Sequence, residues 1–126
     1  MSECLLDTSA ILEFFDGTER GAIVCETVEN NGAAITIISI AEFSDIMTRK
    51  GRDARPQVAF IQQHMRILPI SVEACIDAAM IKQSQRKRQS SFGLIDAIIY
   101  CTAQEHNLTL LTKDKDFAGL DGVKIL

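Results

Sequence analysis

The chain has 126 residues, 47% of them hydrophobic, with 13 Lys and Arg against 17 Asp and Glu for a formal charge of -4. That length is one domain's worth and buries roughly two thirds of its unfolded surface without staples, and the apolar content excludes a disordered or fibrous chain. Nothing reads as a membrane span, and the opening MSECLLD lacks the basic region and long apolar core of a secretory signal. One cytoplasmic domain over residues 1–126 is therefore expected. The negative charge at first argues against a nucleic-acid partner, because phosphate binding needs basic surface.

Short β-branched runs alternate with helical patterns along the chain. Glu3 to Asp7 reads as a strand and Ser9 to Phe15 as a short helix, with Thr8 or Ser9 able to cap it. Thr18 to Asn30 is a helix closed by the Asn30-Asn31-Gly32 stop signal. Ala33 to Ile38 is a strand, and Ser39 to Lys50 a helix in which Ser39 and Glu42 have capping-box spacing. Pro56 sits in the first turn of a helix reaching His64, where proline is tolerated. Arg66 to Ile70 is a strand, and Ser71 caps a long helix running to about Arg88. Leu94 to His106 is an apolar helix, Leu108 to Thr112 a strand, Asp114 to Ala118 a helical turn and Val123 to Leu126 the last strand. Strands separated throughout by helices predict an α/β fold, three layers around a central parallel sheet of about five strands.

Cys4, Cys25, Cys75 and Cys101 have no C-x-x-C spacing and no adjacent histidine, so four buried reduced thiols are expected rather than a disulfide framework or zinc site. His64 and His106 pair with no Ser or Cys in triad order and are expected at the surface.

The acidic residues are more informative. Asp7 ends CLLD, Glu42 is the first charge after Glu29, Asp96 is the only charge between Arg88 and Glu105, and Asp114 and Asp116 follow LTLLTK. Each has a structural explanation on its own: a strand end, a capping box, a favourable place in a first helical turn, a cap. Together they stand just past strand ends or in first turns of helices, positions that a parallel α/β sheet brings to one edge. Clustered carboxylates repel and resist desolvation, so such a group needs a cation or shifted protonation. Oxygen donors without Cys or His suit Mg2+ or Mn2+.

In this order and spacing, LLDTSAIL, SIAEF, LIDAIIYCTA and LLTKDKDF resemble the PIN-domain ribonucleases, and in size and layout the VapC toxins of toxin-antitoxin pairs. The resemblance covers essentially the whole chain. It implies that Asp7, Glu42, Asp96 and Asp114 are the catalytic, metal-binding quartet with Asp116 a supporting fifth, that Ser9 or Thr8 supplies the hydroxyl after the first Asp, and that Thr112 supplies the one before the later pair. It further implies hydrolysis of RNA phosphodiester bonds with Mg2+ or Mn2+, a small antitoxin partner and a homodimer.

Setting the five acids aside leaves 12 acidic residues against 13 basic ones, so the rest of the chain is about +1 and the charge objection lapses. The basic residues cluster in TRKGRDAR (Arg49, Lys50, Arg52, Arg55) and QRKRQSS (Arg86, Lys87, Arg88), which either grip a phosphate backbone or are solvated helix ends. Ile37, Phe43, Ile46, Met47, Phe60 and Ile61 either line a partner surface or belong to the core. Rival readings fit less well. A phosphorelay receiver needs an acidic pair where Asp7 is followed by Thr8, and a haloacid-dehalogenase phosphatase needs an acid where Ser9 stands. A non-catalytic binding module of the same fold is the remaining alternative.

Overall fold

The computed structural model describes residues 3–126, so the first two residues of MSECLLD lie outside it. Five short parallel strands form one sheet: β1 (Cys4–Leu6), β2 (Ala33–Thr36), β3 (Arg66–Leu68), β4 (Thr109–Thr112) and β5 (Val123–Ile125), in the order β3-β2-β1-β4-β5. Between them run α1 (Thr8–Asp16), α2 (Glu19–Glu29), α3 (Ile37–Arg49), α4 (Arg55–His64), α5 (Val72–Gln85) and α6 (Leu94–Glu105), with a 3-10 turn at Lys115–Phe117 before β5. The expected three-layer α/β/α fold is the one observed.

Alternation along the strands sorts the core into two halves. Leu5, Ala34, Leu68 and Leu110 pack toward α5 and α6, where Ala74, Ala78, Ala97 and Ala103 keep the helices close to the sheet. Leu6, Ala33, Ile35 and Leu111 pack toward α1 to α4 with Ile11, Val24, Phe43 and Ile61. The register pairs Leu5 with both Ala34 and Leu110, so the central strand is apolar on both faces and hydrogen-bonded on both edges. Gly21 allows α2 to lie against α1, since a Cβ there would fall 2.1 Å from the Glu13 carbonyl oxygen.

Strand order has a consequence for function. From β1 the chain winds outward one way through β2 and β3, then returns to β4 beside β1 and winds the other way. The crevice beyond the ends of β1 and β4 is thus the switch point of the sheet, where connections leave in opposite directions and open a cleft.

Three expectations are corrected. The helix after β2 begins at Ile37 rather than Ser39, and its cap is Thr36, whose hydroxyl accepts the Ser39 N–H at 3.2 Å. The β-branched Ile37 and Ile38 read as strand, but the turn set by Thr36 overrides their propensity. Glu42 therefore completes no capping box. Cys75 is exposed and Cys4 and Cys25 are half-buried, leaving only Cys101 as a buried thiol; all four are free. The helix α5 stops at Gln85 instead of Arg88. Phe43, Met47 and Ile61 belong to the core, whereas Ile37 is half exposed.

The cap assignment is testable. Thr36→Val keeps the shape but leaves the buried Ser39 N–H without its acceptor, and should lower stability by about 2 kcal/mol in urea denaturation. Were Ser39 the cap, Ser39→Ala would cost more than Thr36→Val.

Candidate active site

Asp7 follows the last residue of β1 and is the N-cap of α1, with extended backbone and its carbonyl accepting from Ala10 and Ile11. An Asp in that place ordinarily turns its carboxylate onto the second or third amide of its own helix. This one makes no such cap. Its Oδ2 instead accepts from the Ser9 hydroxyl and the Thr112 hydroxyl, each at 2.8 Å, and the residue is only 5% exposed. A hydroxyl has one proton to give. With both given to Asp7, the 3.2 Å approach of Ser9 Oγ to Thr112 Oγ1 follows from sharing that carboxylate.

The same two hydroxyls accept from the segment after β4. Lys113 N donates to Ser9 Oγ at 3.0 Å and Asp114 N donates to Thr112 Oγ1 at 3.0 Å, which fixes the direction in which the chain leaves the sheet. Asp114 then caps the 3-10 turn by accepting the Asp116 N–H on Oδ1 at 2.9 Å. Across the crevice, Thr8 Oγ1 donates to Glu42 Oε1 at 2.7 Å, orienting an acid one and a half turns into α3. Asp96 is the third residue of α6 and accepts the Gly93 N–H at 2.9 Å. With glycine as the N-cap no reciprocal side-chain bond forms, so Asp96 makes half of a capping box.

The sequence offered Thr8 or Ser9 as the hydroxyl beside the first acid. Both are used, on different acids. The structure brings Asp7, Glu42, Asp96 and Asp114 to one edge. Burial, first, and then repulsion from Asp7, Asp114 and Glu42 push the Asp96 carboxyl up to about 6, against the pull of the Gly93 N–H. Asp7 is raised mainly by burial, and Glu42 by burial and the nearby Asp7. Asp116 stands at the margin, raised by partial desolvation and by Asp114 alone.

Among the described residues no Lys, Arg or His lies within salt-bridge distance of any of the five acids. Lys113, adjacent to Asp114 in sequence, turns instead to the buried Glu13 at 3.4 Å. Glu13 is the participant that sequence reading missed, because its partner comes from a different strand end and no local pattern marks it. The donor set is all oxygen, held by hydroxyls and amides but not neutralised by any side chain, and so fits a hard divalent cation. Among the described residues no three His, Cys, Asp or Glu side chains stand close enough together, as placed, to hold a metal ion.

Comparison with known proteins agrees with this fold. A profile of the PIN domain matches residues 4–123, and the chain belongs to the PIN-domain family. Among solved structures it is similar to a toxin-antitoxin complex from Klebsiella pneumoniae, at 28% identity with a TM-score of 0.68 over 97% of this chain and 96% of that one. It is also similar in fold to VapBC2 from Rickettsia felis bound to a promoter DNA fragment, at 17% identity and TM-score 0.73 over 97% and 96% of the two chains. VapC20 from Mycobacterium tuberculosis, a sarcin-ricin loop cleaving toxin, matches at 13% identity and TM-score 0.74 over 98% of each chain. No curated protein sequence matches significantly.

The raised Asp96 sets a pH dependence in the metal-free protein. Its folded value of about 6 exceeds the unfolded value of about 3.9, so between them the native chain holds the extra proton and stability falls as pH rises through that window. Screening at this partly exposed carboxyl reduces the effect to on the order of 1 kcal/mol. Asp96→Asn keeps an acceptor for Gly93 and removes the charge, so the variant should be as stable as the parent at pH 4 and more stable at pH 7. A loss at pH 7 beyond about 2 kcal/mol, the upper range for a lost cap, would make Asp96 a purely structural residue.

Proposed function

We propose that the protein is a Mg2+- or Mn2+-dependent endoribonuclease and the toxin of a toxin-antitoxin pair. The observation that carries this reading is a buried Asp7 that forgoes capping its own helix and faces Asp96, Asp114 and Glu42 at the switch point with no basic side chain to balance them. A purely binding module would gain nothing from that repulsion. Neutral or apolar residues of similar shape would be more stable there.

Asp7, Asp96 and Asp114 are the residues that would hold the ion, with Glu42 and Asp116 completing the set. When bound, Mg2+ or Mn2+ supplies Lewis acidity at a phosphodiester oxygen and acidifies a water. The chain's own part is orientation. Ser9 and Thr112 fix the Asp7 carboxylate, and Thr8 holds one Glu42 oxygen while leaving the other to ligate or to take a proton from the attacking water. Burial raises Glu42, which brings it toward the range useful for proton transfer.

Substrate recognition is read as backbone grip. The one tyrosine, Tyr100, is buried with its hydroxyl on the Asp121 carbonyl at 2.8 Å, so it is no stacking platform for a base. Arg49, Arg52 and Arg55 stay exposed near α3 and α4. Similarity to the Klebsiella toxin-antitoxin complex supports a small antitoxin as partner. The exposed row Val72, Ile76 and Met80 on α5, at 76%, 54% and 68% exposure, supports self-association as a dimer.

Labelled single-stranded RNA, incubated with the protein and millimolar Mn2+ or Mg2+, should be cleaved internally, and chelation should stop the reaction. Asp7→Asn and Asp96→Asn should each lower the rate by at least about 100-fold. Metal-independent cleavage that survives Asp96→Asn would overturn the assignment. Induced expression in bacteria should arrest growth with the parent sequence and not with Asp96→Asn.

A further inference from the structure

The basic run QRKR at the end of α5 turns out to be more than a charged helix end. Gln85, the last residue of α5, is fully buried, and both polar atoms of its amide are hydrogen-bonded. Nε2 donates to the Asp116 carbonyl at 2.8 Å and to the Ala118 carbonyl at 2.9 Å, while Oε1 accepts from Arg88 Nη2 at 2.7 Å. The Asp116 carbonyl lies within the 3-10 turn that follows Asp114 and the Ala118 carbonyl just beyond it, while the amides of Asp116, Phe117 and Ala118 bond to the Asp114 side chain, the Asp114 carbonyl and the Lys115 carbonyl. One residue on, Arg86 Nε donates to the Phe92 carbonyl at 2.7 Å, immediately before the Gly93 amide that holds Asp96. Phe92 and Phe117, both fully buried, meet edge to face at 5.3 Å between the two segments.

We infer that Gln85 is a positioning residue for the acid cluster. It fixes the rotation of the Asp114–Asp116 turn while Arg86 fixes the start of α6, so that the end of α5 sets the separation of the acids carried by two different loops. This rests on reading those acids as the metal site. Burying a primary amide is costly unless every polar atom is matched, and an apolar residue would fill the same space with less demand. The amide supplies direction that an apolar residue would not. A three-residue turn cannot orient itself through its own hydrogen-bond ladder, and Gln85 provides the missing external donors.

The variant Gln85→Met preserves length and removes all three bonds. In metal-free protein, hydrogen exchange should accelerate about tenfold or more in residues 113–119 and stay unchanged in β1 and β2. Mn2+ affinity measured by calorimetry should weaken about tenfold, the range for losing a partner that orients a ligand. In an Asp114→Asn background, Gln85→Met should cause little further loss, because its effect passes through that turn. If Gln85→Met does not fold, Arg88→Met, which frees only the amide oxygen, should give the same changes in smaller measure.

Parental exchange in residues 113–119, parental Mn2+ affinity in the folded variant, or a full additional loss in the Asp114→Asn background would each overturn the proposal. Asp7→Asn separates the two claims. If it leaves Mn2+ uptake untouched, the reading of the acids as a metal site fails and the positioning role falls with it. If Asp7→Asn abolishes uptake and Gln85→Met leaves it intact, only the role of Gln85 is lost.

Discussion

The interaction on which the rest of this molecule turns is the shared carboxylate of Asp7. Two hydroxyls, one from the start of α1 and one from the end of β4, converge on a single oxygen, and each also accepts an amide from the chain leaving β4. This joins residues from opposite ends of the sequence at the point where β1 and β4 end side by side. Charge-assisted bonds to a buried carboxylate are among the stronger ones a protein makes. Here they determine where Asp114 begins its turn as well as where Asp7 points.

The sheet explains why the arrangement lies where it does. Parallel strands must end together at one edge, and helices that return over the sheet must begin at that same edge. Residues just past strand ends and residues in first helical turns are then neighbours without any special device. What the fold does not supply is orientation, and each acid obtains that from a different small group: Ser9 and Thr112 for Asp7, Thr8 for Glu42, the Gly93 amide for Asp96. Changing one orienting group would disturb one acid before it disturbed the fold.

Most of the architecture was legible in the sequence because local signals and global topology agree. Thr18 and Ser71 cap the helices they precede, and Asn31 takes the left-handed conformation its stop signal implied. The candidate acids stood out because they sit where apolar runs end or, as Asp96 does, stand alone within one. Misreadings came where a tertiary contact outranked a local pattern. Ser39 and Glu42 have capping-box spacing, yet Thr36 makes the cap and Glu42 goes to Thr8 on another element. Arg86 and Arg88 were open between gripping a phosphate backbone and ending a solvated helix, because a basic run carries no sign of what its guanidinium groups will meet. They meet Phe92 and Gln85. Gln85 itself was invisible, since a glutamine among polar neighbours at a helix end gives no hint of complete burial.

The protein therefore combines strong local agreement with one place of designed conflict. Elsewhere most buried polar side chains are matched, Thr36 with Ser39, Thr102 with the Ile98 carbonyl and Gln85 with three partners, the amide oxygen of Gln57 being the exception among the described residues. At the switch point, acids are oriented by hydrogen bonds that favour their ionised form while burial and mutual repulsion disfavour it. These opposing influences do not cancel at Asp96, whose upward shift measures the remainder. A divalent cation would relieve the repulsion and keep the hydrogen bonds, so affinity for the ion and instability of the empty site have the same origin. That common origin is why the least locally satisfied residues of the chain are the ones on which its chemistry is proposed to rest.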